Sequence, residues 1–168
     1  NVLLIGQQDE SALALMACGL IGLGLQHKPG SARFVTLDGT PADSAMSGVL
    51  ARAAAALPHD VRHVEYRGVS EAMGALGEEL ETRRSAEKAD APTVYVFVYG
   101  LQRYRALRRQ EESFDYSAAA DAKTPQPDKV LAELLRDGPG LGIHVIAWAD
   151  TVASVERSST ITHLAGGR

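Results

Sequence analysis

The chain has one cysteine, Cys18, so no internal disulfide can form and a reducing compartment is expected. It has no run long enough to cross a bilayer. Its most hydrophobic stretch, Ala12 to Leu25, falls short of the about 20 apolar residues that a spanning helix needs, so direct membrane insertion is not expected. No signal-peptide pattern opens the chain, which starts at once with a strand-like run. That abrupt start, and the equally abrupt Gly166-Gly167-Arg168 end, suggest a piece of a longer, multi-domain polypeptide. There is no excess of positive charge. Lys and Arg number 17 against 21 Asp and Glu, for a net charge of -4, which argues against nucleic-acid binding over the whole surface but leaves room for a local basic patch. No internal repeat is visible. His27, His63 and His163 have no metal-ligand spacing with one another or with Cys18. No G-x-S-x-G elbow supports a hydrolase triad. What is present is 168 residues, 45% hydrophobic and 23% charged, the profile of one globular domain over 1–168.

The chain alternates strand and helix signals. Val2 to Ile5 is short, wholly apolar and stopped by Gly6, which reads as a parallel strand buried on both faces. Ser11 to Gln26 reads as a helix apolar nearly all round, and such a helix is expected inside the protein or beneath another layer. Strands follow at 32–37 and at 61–66, the latter partly polar and nearer an edge, with a helix at 44–56 between them. A long helix is expected over 69–88. Thr93 to Val98 is the strongest strand, rich in β-branched and aromatic residues. A short helix over 100–109, a long surface loop over 113–128, a helix over 129–136, a strand over 143–148 and a short helix over 152–158 complete the reading. Gly138 to Gly142 precedes a strand, so it is a turn and not a dinucleotide fingerprint. This alternation predicts an α/β fold with a mainly parallel sheet and helices on both faces. Ligands in such folds sit beyond the carboxyl ends of the strands, here Gly6, Asp38, Tyr99 and Ala149-Asp150.

A phosphate-binding loop would follow the first strand with the spacing G-x-x-x-x-G-K-[ST]. Its glycines let backbone N–H groups wrap the phosphates, its lysine reaches them, and its hydroxyl holds Mg²⁺. Starting at Gly6, the chain offers Gln7, Gln8, Asp9 and Glu10, then Ser11, Ala12 and Leu13. Only the first glycine is kept. The lysine position is Ala12, the hydroxyl position is Leu13, and two carboxylates occupy the loop. Asp9, Glu10 and Ser11 equally suit the start of a helix, whose dipole favours acids. At the end of the strongest strand, an acid should bind Mg²⁺ and a glutamate should polarise water. The chain has Tyr99 and Gly100 there, which do neither.

These signals together resemble the motor domain of the FtsK/SpoIIIE family of P-loop ATPases. Val2 to Gly6 sits where the Walker A strand belongs, and Val94 to Val98 resembles the Walker B strand. Val35 to Gly39 is similar to a strand reading I-D-P-K-G, and Leu57-Pro58-His59 with Val61 to an L-P-H-L…P-V segment. The helix Ser70 to Arg84 resembles A-x-x-x-L-x-W-x-x-x-E-M-E-x-R. Leu134 to Ile146 is similar to R-L-A-Q-x-G-R-A-A-G-I-H-L-I. The resemblance spans nearly the whole chain, in order, and implies a RecA-like P-loop NTPase fold. It departs at the three nucleotide-contacting places: Ala12, Tyr99-Gly100, and Trp148-Ala149-Asp150 where the family reads A-T-Q. The chain would stop short of the family's final strand and DNA-contacting regions, unless Thr160 to Leu164 supplies a remnant strand.

The expectation is a degenerate module in which Gly6 to Leu13, Tyr99, Gly100 and Asp150 form a remnant nucleotide pocket. The parent family uses ATP and Mg²⁺; no cofactor is expected for this module by itself, and no catalytic residue or metal ligand is assigned. Its role would be structural or regulatory beside active modules of the same polypeptide or ring, in a DNA translocase or a secretion motor, in the cytoplasm. Alternatives are a domain that binds nucleotide without hydrolysis, one completed in an assembled ring, and a module of a type VII secretion ATPase that recognises a substrate peptide. Arg103, Arg105, Arg108 and Arg109, with Tyr104, form a basic segment that suits DNA or a partner's nucleotide, or a solvated face balanced by Glu111 and Glu112. His59 and His144 are read as structural.

Overall fold

The computed structural model describes residues 1–85, 91–109 and 126–158. Five strands, β1 (Val2–Ile5), β2 (Ala32–Asp38), β3 (Asp60–Glu65), β4 (Thr93–Tyr99) and β5 (Ile143–Ala149), form one sheet in the order β1-β5-β4-β2-β3. All four pairings are parallel. Parallel neighbours need crossovers, and here these are helices. The helices α1 (Asp9–Gln26) and α2 (Val49–Ala55) pack on one face with Phe34, Phe97, Tyr99 and Trp148. On the other face α3 (Val69–Ser85) and α4 (Pro127–Asp137) pack with Val35, Leu37, Val96 and Val98. A last helix, α5 (Val152–Arg157), follows β5.

The central position of β4 explains its sequence. It is flanked on both edges and covered on both faces, and Val94, Val96, Phe97, Val98 and Tyr99 are all fully buried. Each such side chain contributes about 1.5–3 kcal/mol of transfer free energy. The opposite ends of the sheet are less covered. β3 is the edge strand that its polar residues predicted. β1 is also an edge strand, paired only to β5, and Val2 and Ile5 are exposed. Its apolar run had pointed to burial on both faces; an apolar strand looks alike at an edge and at the centre until pairing is known. α1 differs from expectation in the same way. Ala12, Leu13, Met16 and Leu20 face the sheet, while Leu15, Cys18, Ile21 and Leu25 face outward.

Other boundaries move too. α2 begins at Val49 because turns occupy 42–48. The 100–109 segment holds two single 3₁₀ turns, Leu101–Arg103 and Arg105–Leu107, in place of one helix, because Tyr104 between them is extended. α4 starts two residues earlier than expected, with Pro127 in its first turn, where its missing N–H costs nothing. α3 is described as far as Ser85. Most of the 113–128 loop and the 160–164 strand lie outside the described residues.

One buried cation joins these parts. Arg83 of α3 is 7% exposed and pairs with Glu79 at 2.6 Å. It also donates to the carbonyls of Leu141 at 2.8 Å and Pro92 at 2.7 Å. It thereby ties α3 to the chain entering β4 and β5.

β2 leads to α2 on one face, and β4 leads to α4 on the other. Adjacent strands whose connections leave to opposite faces open a crevice at their carboxyl ends. Gly39 marks it: a Cβ there would lie 2.5 Å from the Tyr99 carbonyl oxygen, so only glycine lets the two strand ends approach.

Candidate functional site

The loop after β1 is short. Gly6 donates its N–H to the Ala149 carbonyl at 3.1 Å, and α1 already begins at Asp9. The Ala12 N–H bonds the Gln8 carbonyl at 3.0 Å, which closes the first helical turn. Ala12 and Leu13 are therefore helical residues buried against the sheet, 5% and 2% exposed. Gln7 and Glu10 are exposed, and the Ser11 hydroxyl donates to the Gln8 side-chain oxygen at 3.3 Å.

Three side chains from β4, β5 and the turn after β4 meet this loop. Tyr99 and Trp148 are register partners on adjacent strands, and their rings stack at 4.8 Å and 20°. The Trp148 indole N–H donates to the Gly6 carbonyl at 3.0 Å, and the Tyr99 hydroxyl donates to the Asp9 carbonyl at 3.1 Å. Arg103 lies over both rings, its guanidinium carbon 5.4 Å from each centroid. It forms an ion pair with the Asp9 carboxylate and donates to the Gly39 carbonyl at 3.0 Å. Gly100 permits that return: a Cβ there would lie 2.9 Å from the Arg103 Cδ. Burial pushes the Tyr99 phenol above its ordinary pKa, the Asp9 carboxylate adds to this, and Arg103 opposes it. Tyr99 is thus a neutral donor at physiological pH.

The polarity of this arrangement is the reverse of an anion cradle. A phosphate loop points N–H donors at its ligand. Here the loop turns carbonyls and one carboxylate toward donors on Trp148, Tyr99 and Arg103. Asp150, at the end of β5, is occupied elsewhere. Its carboxyl is held below the ordinary range by the Ser154 and Thr151 hydroxyls at the start of α5, where Thr151 caps the Ser154 N–H at 3.2 Å.

Of the four arginines grouped by sequence, Arg103 alone joins this site. Arg108 donates to the Gln102 carbonyl at 2.8 Å, the Arg109 backbone N–H bonds the Arg157 carbonyl at 3.2 Å, and Arg105 is exposed beside Tyr66 and Tyr104. They share no helix face, because the 3₁₀ turns send them in different directions. His59 bonds the Gly24 carbonyl at 2.7 Å and His144 stacks on Tyr95 at 5.5 Å, both structural placements.

A second place lies at the carboxyl ends of β2 and β3. A cleft of about 750 Å³ is lined by Asp38, Gly39, Thr40, His63, Glu65 and Arg103 among others. Asp38 accepts from the Thr40 N–H at 2.9 Å and hydroxyl at 2.6 Å. His63 lies 3.8 Å from its other oxygen and bonds the Thr36 hydroxyl at 2.8 Å. Among the described residues no cluster of His, Cys, Asp and Glu could hold a metal ion. Sequence reasoning named Asp38 as a strand end but had no signal for His63 or Glu65; their register opposite Thr36 and Asp38 brings them there.

No family model and no curated protein matches the sequence. Solved structures do match in fold. The cytoplasmic domain of the Thermomonospora curvata type VII secretion ATPase EccC superposes with a TM-score of 0.66 at 18% identity, over 95% of this chain and 19% of that one. A structure described as an ATPase gives 0.63 at 15% identity, over 95% of this chain and 58% of that one. The cytoplasmic domain of EssC gives 0.60 at 15% identity, over 100% of this chain and 35% of that one. The chain therefore spans less than two thirds of each of these proteins. Its parallel α/β fold is that of ATPase domains in larger chains.

Proposed function

We propose that this chain is a non-catalytic, ATPase-like module of a larger FtsK/SpoIIIE-type motor, of the secretion-ATPase kind, acting structurally or as a regulator beside modules that hydrolyse ATP. The observation that carries this reading is the Tyr99–Trp148–Arg103 group closed over the first-strand loop. Mg-ATP does not fit the residues there. Its phosphates would meet the Asp9 carboxylate and inward carbonyls, the lysine position is the buried Ala12, and Arg103 is already paired. Losing one partner of a buried charge pair typically costs about 2–5 kcal/mol of binding. A helix lacking any charge from Ser11 to Gln26, with Leu15, Ile21 and Leu25 exposed, suits a domain packed beside others, in a cytoplasmic assembly. DNA and protein substrates remain partners of the assembly in this reading, with no residue here assigned to either.

Calorimetry with Mg-ATP tests it, with Ala12→Lys alongside. No saturable heat at the first-strand loop at millimolar nucleotide is expected for either protein. Micromolar binding abolished by a change at Gly6 would establish instead a domain that binds nucleotide without its lysine.

A further inference from the structure

The outward face of α1 carries no charge between Glu10 and Lys28. Ala14, Leu15, Cys18, Ile21 and Leu25 are exposed along it, Leu15 at 60% and Leu25 at 77%. Ala14, Cys18, Ile21 and Leu25 recur at spacings of three and four, the stripe by which one helix packs along another. A contiguous apolar patch of this kind marks an interaction surface.

The charges around the stripe say what covers it. Asp9 and Glu10 stand at the start of α1, and Lys28 lies just past its end. Asp9 is paired with Arg103. Glu10 and Lys28 are exposed, and neither side chain has a hydrogen bond or ion pair among the described residues. A parallel copy of the helix would set Glu10 against Glu10. An antiparallel copy sets each Glu10 against Lys28 of the second copy. The same register sets Ala14 against Leu25 and Cys18 against Ile21, because all three pairs are centred on residues 19–20. Gly22, with open space where a Cβ would stand, and the small Ala14 and Cys18 let the two helices approach closely. The face is therefore complementary to itself in charge and in apolar register, which a two-fold contact between identical chains requires.

We propose that the outward face of α1 is a homodimer interface, in which two copies of this chain pack α1 against α1, antiparallel about a two-fold axis. A single helix face offers less than the area of about 800 Å² per partner of a standard interface, so the pair is weak and concentration-dependent. It does not depend on whether the loop after β1 binds nucleotide.

The test is sedimentation equilibrium of the whole chain under reducing conditions, from low micromolar to near-millimolar protein. The expected result is a reversible monomer–dimer equilibrium with no larger species. Leu15→Glu should abolish the dimer, with circular dichroism showing that the monomer stays folded, since Leu15 is exposed. Glu10→Lys and Lys28→Glu should each weaken the dimer about tenfold, because each turns two attractive contacts per dimer into repulsive ones. The double variant Glu10→Lys/Lys28→Glu exchanges the charges and should restore the original affinity. A monomer at every concentration would overturn the proposal and assign the face to a different partner. A dimer unchanged by Leu15→Glu, growth beyond two copies, or no rescue by the charge exchange would overturn it equally. Mg-ATP calorimetry reads none of these outcomes, so the dimer and the non-catalytic reading fail separately.

Discussion

The carboxyl edge of the sheet has two halves with opposite treatment of polar groups. At β1, β5 and β4, every inward acceptor noted in the loop has a donor: Gly6 takes Trp148, and Asp9 takes Tyr99 and Arg103. Toward β2, β3 and α3 the clefts are open, and the Arg67 and Arg105 side chains and the buried Tyr104 hydroxyl have no partner among the described residues. The strands are those of one parallel sheet throughout, so the difference lies in the turns beyond their ends and in the side chains. A fold supplies positions for ligands at its strand ends; whether a position is filled from within or left for another molecule is decided by a few residues.

The comparison breaks first if the aromatic stack proves dispensable. Trp148→Ala or Tyr99→Ala should each lose about 3–5 kcal/mol, the usual cost of truncating a fully buried aromatic side chain, seen as a lower urea midpoint. A loss below about 1 kcal/mol would mean the closed half is loosely filled. Arg103→Met should cost less, about 2 kcal/mol, by removing two ring contacts and a partly exposed ion pair while keeping the stem. An unchanged midpoint would show that Arg103 is not the closing element.

Tyr104→Phe sharpens the other half. It should raise stability by about 1 kcal/mol, because an unsatisfied buried hydroxyl is removed. A fall of similar size would show that the hydroxyl has a partner within the protein. The smallest effect concerns pH. Asp150 titrates below the ordinary carboxyl value of 3.8 in the folded chain, chiefly through Ser154. The unfolded chain then binds the proton more readily, so this contribution is complete well above pH 3.8 and is lost as pH falls through the folded value. Asp150→Asn should remove this contribution, lowering stability slightly at neutral pH and leaving it nearly unchanged below the folded value, so that the acid limb flattens. An acid limb identical to that of the parent would assign it to other carboxyls.

Much of the fold was legible because periodicity reports burial directly. The Thr93 to Val98 run announced the centre of the sheet, and alternation of strand and helix announced its parallel sense. β1 and α1 misled for one reason: an apolar residue records that water is avoided, not which neighbour excludes it. The 100–109 segment misled because Tyr104 breaks its helix by docking its ring in the core, a tertiary event with no local signal.

The residue types at the strand ends were determined by the sequence alone: an alanine where the resemblance to a P-loop ATPase would put a lysine, and a tyrosine and glycine where it would put acids. Those identities already limit the chemistry, because neither methyl nor phenol can do the work of an ammonium or a carboxylate. Only the tertiary structure decided what fills the space they leave. Arg103 lies far from Asp9 in the chain; the two meet only because parallel strands gather distant turns at one edge of the sheet.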